Sequence, residues 1–513
     1  MKKIYFFFLF YCLFYTSWSQ NATISPTSLT PPKLTYEQIV SLASPEEGQM
    51  VYDISFKCLR MYNGRKWICL TQNTSPDVVA HQAGSTATDI GRAITVDSQG
   101  NIYITGNFSG VATFGNTRVE SIGSNDVFVA KYNHYGLLQW VRRGGGFGYS
   151  YGKSIGVDNS GNVYITGSFY SRATFGNIAL TSVRGDDIFI AKYDTNGVLQ
   201  WVKQGGGDGD DDGKALVVDD SGNVYVTGYF IYNAIFDGTS FPSSTYPSTF
   251  IAKYNSNGEL QWIKRETGAG AVYAAAIAMD TYGFIYVTGS FYYNSVFGNI
   301  TPLVSAGGSD VFIAKYSTEG VFQWAKREGG TNNDVATSIA VTHDGFFYVS
   351  GAFFGTVNFG GSTSRTAMSN TNTDGFIAGY RDNGEFAWVR QLGGTDYELV
   401  NSLSLHRYGG LYVTGLFEGT VNFGFNVTCT SKGKSDVFVA RYDEVSGNIE
   451  WIEQYGGSWR DSGVSVKVGT NRDVYVTGGF ESDVIFGNTL LSNFGYSIFG
   501  EGGMDMFWLR LRK

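Results

Sequence analysis

The sequence predicts an all-β fold, a seven-bladed β-propeller, and three observations lead to that prediction. Close copies of the stretch GNVYITGSF, residues 161–169, recur with a glycine spaced every 61 to 64 residues, as in a repeat architecture. Each repeat contains four short strand patterns. The chain also holds 68 glycines and only eight prolines, which suits many strands joined by glycine turns. The repeated glycines are Gly106, Gly167, Gly228, Gly289, Gly351, Gly415 and Gly478.

The second repeat shows how each unit predicts one blade. SIGVD (154–158) predicts a first strand, and after the turn NSGN the alternating VYITGSF (163–169) predicts a second. A long excursion then starts at ATFGN (173–177). Beyond it, IFIAKYD (188–194) and VLQWVKQ (198–204) predict the third and fourth strands on either side of a TNG turn. Four antiparallel strands joined by tight turns form one propeller blade.

The first residues of the chain are typical of a secretory signal. Two lysines precede an apolar run, and small residues flank a cleavage point near Gln20, which assigns residues 1–19 to the signal. Export is therefore expected, with a secreted or cell-surface location. A membrane-spanning helix is the alternative, although the run is short for one and no later segment is apolar enough to span a membrane.

Residues 20–32 are predicted to be a flexible leader, followed by a small α+β module at 33–70 and a linker at 71–76. Within the module, LTYEQIVSL has the apolar spacing of a short helix. Asn63-Gly64 is a preferred pair for a two-residue hairpin turn. Folding about that pair places Cys58 opposite Cys69, so a disulfide is expected in an exported protein; two reduced cysteines are the alternative.

Residues 77–513 are predicted to form the propeller, with a ring closed by the two ends of this segment. The last repeat contains a third strand pattern but no fourth. Moving back one period from the first repeat places DVVAHQ, residues 77–82, where a fourth strand belongs, with Val79 at the position of the repeated tryptophan. Strand 77–82 is predicted to pair with residues 505–511 and complete the seventh blade, leaving no open sheet edge.

The repeat pattern VD-x-x-GN-VYVTG-x-F, TFGN and D-x-F-x-AKYD-x-x-G-x-x-x-W resembles the bacterial SBBP family of β-propeller repeats over residues 77–513. The resemblance implies a seven-bladed propeller in an exported or surface protein. It implies no reaction and transfers no catalytic residues. The segment 33–70 resembles a small N-terminal module of exported bacterial surface proteins, which indicates little about activity.

Composition argues against several classes of function. Without the two lysines of the signal, 35 basic residues face 45 acidic ones, a net charge near −10, so nucleic acid is not an expected partner. Only four histidines occur, which argues against a histidine-rich metal centre.

The repeated side chains are interpreted as structural. Aspartates recur before each third strand and at the end of each first strand, as turn-fixing residues do, rather than as catalytic pairs. The repeated tryptophans and the phenylalanines of the FGN motif are expected to pack between blades. The aspartates are Asp126, Asp187, Asp310, Asp374, Asp436 and Asp505 before the third strand, and Asp97, Asp158, Asp219 and Asp280 after the first.

Function is expected on the face where the repeats differ, formed by the loops between blades and by the excursions. Asp208, Asp210 and Asp212, followed by Gly213 and Asp219, have the spacing of a calcium-binding loop with alternating oxygen ligands. A solvated acidic loop is the alternative. Calcium is the one cofactor that the sequence suggests.

The same loops contain exposed aromatic residues. Aromatic rings beside carboxylates are typical of sugar-binding surfaces and of tyrosine-rich protein-binding surfaces. The alternative is that these rings cover the junctions between blades. The candidate ligand-binding residues are Tyr149, Tyr151, Tyr273, Tyr397 and Trp459, with Phe147 in the same loops.

These features predict an exported, monomeric, non-enzymatic binding or scaffold protein that presents a propeller face to a protein or a glycan. One alternative is a structural or adhesive surface component. Another is a polysaccharide-acting hydrolase or lyase with a funnel active site, because propellers host active sites near their axis. The enzyme alternative has little support, since no HExxH and no GxSxG in a strand-to-helix context occurs.

Overall fold

The computed structural model describes residues 31–34, 38–39, 42–53, 58–62, 67–69, 77–242, 245–298, 301–360, 363–369, 371–495 and 503–512. The predicted signal and linker lie outside these residues, as does all of the predicted leader except residues 31 and 32. The chain divides into two compact units, residues 1–76 and residues 77–513. None of the helices among the described residues has the length and apolar character to span a membrane.

The N-terminal unit contains a four-stranded sheet in the order β1-β2-β3-β4. Strand β1 pairs in parallel with β2, and the remaining pairs are antiparallel. Gln38 and Ile39 are helical, within the segment predicted to form a short helix. The strands are β1 (Lys33–Leu34), β2 (Met50–Asp53), β3 (Cys58–Tyr62) and β4 (Trp67–Cys69).

The predicted register of the hairpin between β3 and β4 is wrong. Tyr62 faces Trp67 and Arg60 faces Cys69, so four residues connect the strands instead of the pair Asn63-Gly64 alone. Cys58 is therefore not opposite Cys69. The side chains of both cysteines lie outside the described residues, so the disulfide stays a prediction.

The second unit contains seven sets of four antiparallel strands, the blades, which confirms the all-β prediction. It opens with β5 (Asp77–Gly84). Blade 1 comprises β6 (Ile90–Val96), β7 (Ile102–Phe108), an outer hairpin of β8 (Val111–Phe114) and β9 (Thr117–Glu120), β10 (Asp126–Tyr132) and β11 (Leu138–Gly146). Blade 2 comprises β12 (Ser150–Val157), β13 (Val163–Phe175), β14 (Ile178–Tyr193) and β15 (Leu199–Gly207).

Blades 3 to 5 each carry an outer hairpin between their second and third long strands. Blade 3 comprises β16 (Asp212–Val218), β17 (Val224–Phe230), β18 (Ala234–Phe236), β19 (Thr239–Phe241), β20 (Ser248–Tyr254) and β21 (Leu260–Gly268). Blade 4 comprises β22 (Val272–Met279), β23 (Phe284–Phe291), β24 (Asn294–Val296), β25 (Leu303–Val304), β26 (Asp310–Ser317) and β27 (Phe322–Gly330). Blade 5 comprises β28 (Asp334–Val341), β29 (Phe347–Phe353), β30 (Thr356–Asn358), β31 (Ser364–Thr366), β32 (Asp374–Tyr380) and β33 (Phe386–Leu392).

The last two blades complete the set. Blade 6 comprises β34 (Glu398–Leu405), β35 (Leu411–Asn422), β36 (Thr428–Tyr442) and β37 (Ile449–Tyr455). Blade 7 comprises β38 (Asp461–Val468), β39 (Val474–Phe480), β40 (Val484–Phe486), β41 (Thr489–Leu491) and β42 (Asp505–Arg512), with β5 as its fourth long strand.

The first strands of the blades surround the axis of the ring. Each contacts the first strand of the next blade, and the first strand of blade 7 contacts that of blade 1. Serine hydroxyls join neighbouring first strands. The Ser154 Oγ accepts the backbone N–H of Leu216 at 3.1 Å, and the Ser465 Oγ accepts that of Ile94 at 3.3 Å across the junction of blades 7 and 1.

Strand β5 pairs antiparallel with β42 along its length, from Asp77 opposite Arg512 to Ala83 opposite Met506. Val79 faces Arg510 in blade 7, just as Trp140 faces Lys131 in blade 1, so Val79 occupies the position of the repeated tryptophan. This is the pairing that the sequence predicts. It is supported by the ring of His81, which stacks on buried Trp508 with centroids 4.1 Å apart.

The repeated glycine faces a bulge in each first strand. The register of the first two strands shifts at the bulge, between Gly152 and Ser154 in blade 2. A Cβ on Gly167 would lie 1.8 Å from the carbonyl oxygen of Tyr151, and one on Gly106 would lie 1.9 Å from that of Ile90. Because the backbones approach so closely, no side chain fits at this position.

The excursions connect neighbouring blades. The outer hairpins of blades 1 to 5 pair with the last strand of the preceding blade, for example Phe175 opposite Gly144. A Cβ on Gly144 would lie 2.3 Å from the Phe175 ring, so glycine makes room for that ring. The Trp140 indole N–H donates to the carbonyl of Thr195 in the next blade at 3.0 Å. The prediction that these aromatic residues pack between blades is confirmed.

Deleting residues 77–82 from the full chain is expected to lower the melting temperature by more than about 5 °C, since blade 7 loses a complete strand ladder. Deleting residues 71–76 is the matched control and should leave the melting temperature nearly unchanged. Differential scanning calorimetry measures both. Equal melting temperatures for the two deletions would contradict closure through β5.

Candidate functional site

The loops between blades and the ends of the excursions lie on one face of the propeller, called here the loop face. Asn125 forms an isolated bridge with Tyr149, and Ser435 forms one with Arg460. The backbone N–H of Asp211 donates to the carbonyl of Asp186 at 2.7 Å. The tight turns within each blade form the opposite face, the turn face.

The bulge in each first strand adds one residue near the loop face, and its charge changes around the ring. The bulge residue is a cation in three consecutive blades and is uncharged in the other four. Among the bulge positions, positive charge is therefore confined to blades 1 to 3. The bulge residues are Arg92, Lys153, Lys214, Ala275, Thr337, Asn401 and Val464, in blade order.

A buried carboxylate joins two of these cations. Asp212 Oδ2 accepts a hydrogen bond from Lys153 Nζ at 2.5 Å and lies 2.9 Å from Lys214 Nζ. Burial alone would raise the pKa of Asp212, but the two ammonium groups outweigh it and hold that pKa below its usual value. Asp212 is therefore ionised at neutral pH.

Tyrosine rings lie against the same cations. The Arg92 guanidinium lies 5.3 Å from the centroid of the Tyr151 ring, and Lys153 Nζ lies 5.8 Å from it. Lys214 Nζ lies 5.4 Å from the centroid of Tyr229, which meets Tyr273 edge-on at 4.9 Å. We call Arg92, Tyr151, Lys153, Asp212, Lys214, Tyr229 and Tyr273 the inner cluster; all except buried Asp212 are partly exposed.

Two further tyrosines extend the inner cluster outward across blade 2. Tyr149 lies 5.7 Å from Tyr151 between ring centroids and stacks on exposed Tyr170 at 5.2 Å. Burial and the nearby Asp186 carboxylate raise the pKa of Tyr149 to about 12. Aromatic surface is thus continuous from the inner ring to the rim of blade 2.

The structure brings together three of the five predicted aromatic ligand-binding residues, Tyr149, Tyr151 and Tyr273. The other two lie elsewhere on the loop face: Lys434 Nζ lies 4.5 Å from the Trp459 ring centroid, and Tyr397 is partly exposed in the loop before blade 6. Sequence reasoning missed the three bulge cations. An alignment of the repeats would have indicated them, because the residue at one fixed position of the first strand is a cation in blades 1 to 3 and uncharged in the other blades.

The four aspartates predicted to bind calcium do not form one site. Asp212 and Asp219 lie at opposite ends of β16, and Asp219 Oδ1 accepts the N–H of Asn223 in the turn that follows. Asp208 lines an open groove of about 710 Å³ between blades 2 and 3. Asp210 accepts the N–H of Asp186 at 3.4 Å. In the part of the chain that the structure describes, no three His, Cys, Asp or Glu side chains are arranged to hold a metal ion.

The repeated aspartates fix turns, as predicted. Asp158 Oδ1 accepts the backbone N–H groups of Ser160 at 2.9 Å and Asn162 at 2.8 Å. Asp126 Oδ2 accepts the N–H of Ile122 at 2.9 Å. These carboxylates are structural, which confirms the interpretation drawn from their periodicity.

Five blade junctions hold buried carboxyl pairs that sequence reasoning missed. At the junction of blades 2 and 3, a Cβ on Gly206 would lie 2.6 Å from Asp211 Oδ2 and 3.1 Å from Asp187 Oδ1, so both carboxyl groups approach one glycine. Burial and the Asp187 charge raise the pKa of Asp211 to about 8. The pairs are Asp89 with Asp505, Asp187 with Asp211, Asp310 with Asp334, Asp374 with Glu398, and Asp436 with Asp461.

Three segments of the chain, residues 80–107, 139–168 and 200–229, match the family model described as SBBP, beta-propeller repeat. Each segment runs from the last strand of one blade through the second strand of the next. The repeat pattern on which the fold prediction rests is therefore that of the SBBP repeat.

Two curated proteins show partial similarity. The uncharacterized WD repeat-containing protein L264 of Acanthamoeba polyphaga mimivirus is 21% identical over 497 residues, covering 78% of this chain and 36% of that protein. Regulatory protein FlaEY of Caulobacter vibrioides is 26% identical over 168 residues, covering 31% of this chain and 17% of that protein. The alignments thus span 36% of one relative and 17% of the other.

Solved structures show distant similarity. Quinohemoprotein alcohol dehydrogenase from Comamonas testosteroni is 10% identical, with 85% of this chain and 76% of that chain covered and a TM-score of 0.38. The Dos1 propeller is 9% identical, with 84% and 95% covered and a TM-score of 0.39. Similarities of this size carry no argument about activity.

The melting temperature is expected to fall as pH rises from about 4 to about 8, because carboxyl groups with raised pKa values stabilise the fold only while protonated. Folding raises the pKa of Asp211 from 3.8 to about 8 and those of Asp334 and Asp461 to about 7. Their contribution is complete below the unfolded pKa of 3.8 and is lost progressively as pH rises from there to the folded values. Thermal melts across this range measure the slope.

Asp187→Asn should flatten that slope, since an amide opposite Asp211 removes one of the two facing charges. Exposed Asp220→Asn is the matched control and should keep the slope of the native protein. A native melting temperature that is constant over this pH range would contradict proton binding by the carboxyl pairs.

Proposed function

We propose that this chain, three segments of which match the SBBP β-propeller repeat, is an exported, non-enzymatic binding protein that holds a glycan on its loop face. The observation that carries the proposal is the inner cluster. Its partly exposed rings of Tyr151 and Tyr229 lie directly beside cations, and the Tyr273 ring meets that of Tyr229. Repeated side chains form the frame of the ring, whereas this group occurs on one side only.

The chemistry of the inner cluster suits a sugar. A pyranose ring offers a flat apolar face that packs on a tyrosine, and its hydroxyls need donors and acceptors nearby. Three cations, Arg92, Lys153 and Lys214, meet one carboxylate, Asp212. The excess of donors favours a glycan that carries carboxylate or sulfate groups.

The pKa values of the inner cluster favour binding over acid–base catalysis. The lysines hold Asp212 ionised, so it does not donate a proton at neutral pH. Burial and the Asp212 charge raise the pKa of Tyr229, which opposes formation of a phenolate base. Asp211, with a pKa raised to about 8, is buried and accepts the backbone N–H of Gly207 at 2.7 Å. These groups are not tuned to exchange protons with a substrate.

A glycan array probed with the full chain is expected to show binding to acidic glycans, and Tyr151→Ala should weaken it by about tenfold through loss of one stacking ring. Lys153→Ala should weaken acidic ligands more than neutral ones. Calorimetry with the best ligand measures both effects, and thermal melts establish that each variant is folded.

Two control variants locate the site. Tyr282→Ala removes a ring that is 72% exposed on the turn face, and Trp459→Ala removes one from the loop face outside the inner cluster. Both should bind as the native protein does. Equal losses in all four variants would contradict a site at the inner cluster, and release of products from a polysaccharide would favour the enzyme alternative. Binding of peptides instead of glycans would reassign the ligand to a protein.

Export is the second part of the proposal, and it is supported by the charged start and apolar run of residues 1–19. Expression in a bacterial host is expected to yield an exported protein whose N-terminus lies near Gln20. Mass spectrometry of the N-terminal peptide measures this. Replacing apolar residues of the run by aspartates should retain the uncleaved chain in the cytoplasm, and cytoplasmic accumulation of the unaltered chain would contradict export.

A further inference from the structure

The turn face holds a cavity of about 540 Å³ centred on blade 5. It lies where the first strands of blades 5 and 6 end, beside Val341 and Leu405, and Val445 borders it from a turn of blade 6. Its size is in the range of small-molecule sites. The cavity and the inner cluster lie on opposite faces, so a ligand in the cavity would be independent of the proposed function.

In the first four blades, a lysine side chain occupies the corresponding place. In blade 2, Lys192 Nζ lies 5.2 Å from the centroid of the Tyr164 ring and donates to the carbonyl of Ser256 in the next blade at 2.9 Å. The Trp201 indole N–H donates to the same carbonyl at 3.1 Å. The same arrangement recurs with Lys131, Lys253 and Lys315.

Blade 5 keeps the partners of that lysine but not the lysine. In the strand register, Gly379 stands opposite Tyr348 on one side and Trp388 on the other, where the other blades have Lys or Arg. The Trp388 indole N–H donates to the carbonyl of Glu444 at 3.1 Å, as in blade 2. Tyr348 and Trp388 both line the cavity.

A second departure from the repeat lies at the same place. In blades 1 to 4, an aspartate that follows the first strand accepts a hydrogen bond from the tyrosine hydroxyl. In blade 2, Asp158 accepts it from Tyr164 at 3.0 Å. Blade 5 has Thr342 there, and its hydroxyl donates instead to Asp344. The Tyr348 ring and the Asp344 carboxylate of this turn therefore line the same cavity.

The cavity is acidic overall. Asp280, Asp344 and Glu444 line it against one permanent cation, Arg407. Burial lowers the pKa of His406, so that side chain is neutral at physiological pH. A cation prefers surroundings that combine an aromatic ring, a carbonyl oxygen with a lone pair to spare and nearby carboxylates. Here these are the Tyr348 ring, the Glu444 carbonyl and the acidic residues of the lining.

We propose that this cavity binds the primary ammonium group of a ligand, placed between the Tyr348 ring and the Glu444 carbonyl where a lysine lies in blades 1 to 4. The alkyl part of the ligand packs along Trp388 and Val445. A lysine side chain of a peptide and the amine of an amino sugar share this chemistry.

Calorimetric titration of the full chain with n-butylammonium chloride tests the proposal, with n-butanol as the uncharged control. Saturable binding with a Kd on the order of 1–10 mM is expected for a single cation–aromatic contact with a hydrogen bond. Butanol should bind at least about tenfold more weakly. The absence of saturable heat with n-butylammonium, or equal affinity for butanol, would overturn the proposal.

Two variants test the place of binding. Gly379→Lys supplies an internal ammonium group and should abolish binding, although a Cβ at residue 379 requires Trp388 to shift because Cε2 lies 2.8 Å away. In the native protein the Glu444 carboxylate accepts a hydrogen bond from the Gly410 N–H, and Glu444→Gln retains an acceptor for it. This variant should weaken binding by about threefold, because the negative charge is lost. Glu319→Gln, in a turn of blade 4 on the same face, is the control. Unchanged affinity in both cavity variants would overturn the assignment.

Paired ligands distinguish the two sources of the ammonium group. A Gly-Lys-Gly peptide is compared with its Nε-acetyl form, and glucosamine is compared with N-acetylglucosamine. In each pair, acetylation removes the charge and retains most of the shape. A loss of affinity on acetylation in either pair supports the site and identifies that source, whereas no loss in both pairs counts against an ammonium ligand.

Discussion

The propeller depends on the pairing of β5 with β42, because it joins residues more than 400 positions apart into one blade. A single four-stranded blade has two apolar faces and cannot bury both alone. Each blade therefore needs a neighbour on both sides, and the last blade meets the first only if its fourth strand comes from the other end of the segment. Serine hydroxyl contacts between first strands, as at the junction of blades 7 and 1, and the outer hairpins of blades 1 to 5 further strengthen individual junctions.

The repeated residues and the variable residues carry out different tasks. Glycines opposite the bulges recur in every blade, and aromatic residues between blades and turn-fixing aspartates recur in most of them, which explains why the period is so regular. Burial of paired carboxyl groups at five junctions adds a cost that grows with pH, because two facing carboxylates in a site that excludes water cannot both ionise freely. The candidate ligand-binding residues therefore lie at positions that vary between blades, where the fold does not require one residue type.

Both candidate sites arise where one position of the repeat changes its residue type. On the loop face, the bulge residue becomes a cation in three neighbouring blades, and tyrosines accompany it. On the turn face, a lysine becomes Gly379 while its tyrosine and tryptophan partners remain. The first change adds groups to an open surface, and the second removes one from a packed junction. A repeat architecture thus offers two routes to a site without altering its backbone.

The sequence by itself determined the all-β class, the seven repeats, the strand that completes the last blade, and the structural role of the repeated aspartates and aromatic residues. These properties come from periodicity, which records what every blade needs locally. Only the tertiary structure decided the register of the N-terminal hairpin, the separation of Asp212 from Asp219, and the meeting of Arg92, Lys153 and Lys214 with tyrosine rings of blades 2 and 3. The meeting of Arg92 with Tyr151 and of Lys153 with Asp212 depends on contacts between segments about 60 residues apart, and linear spacing does not encode such contacts.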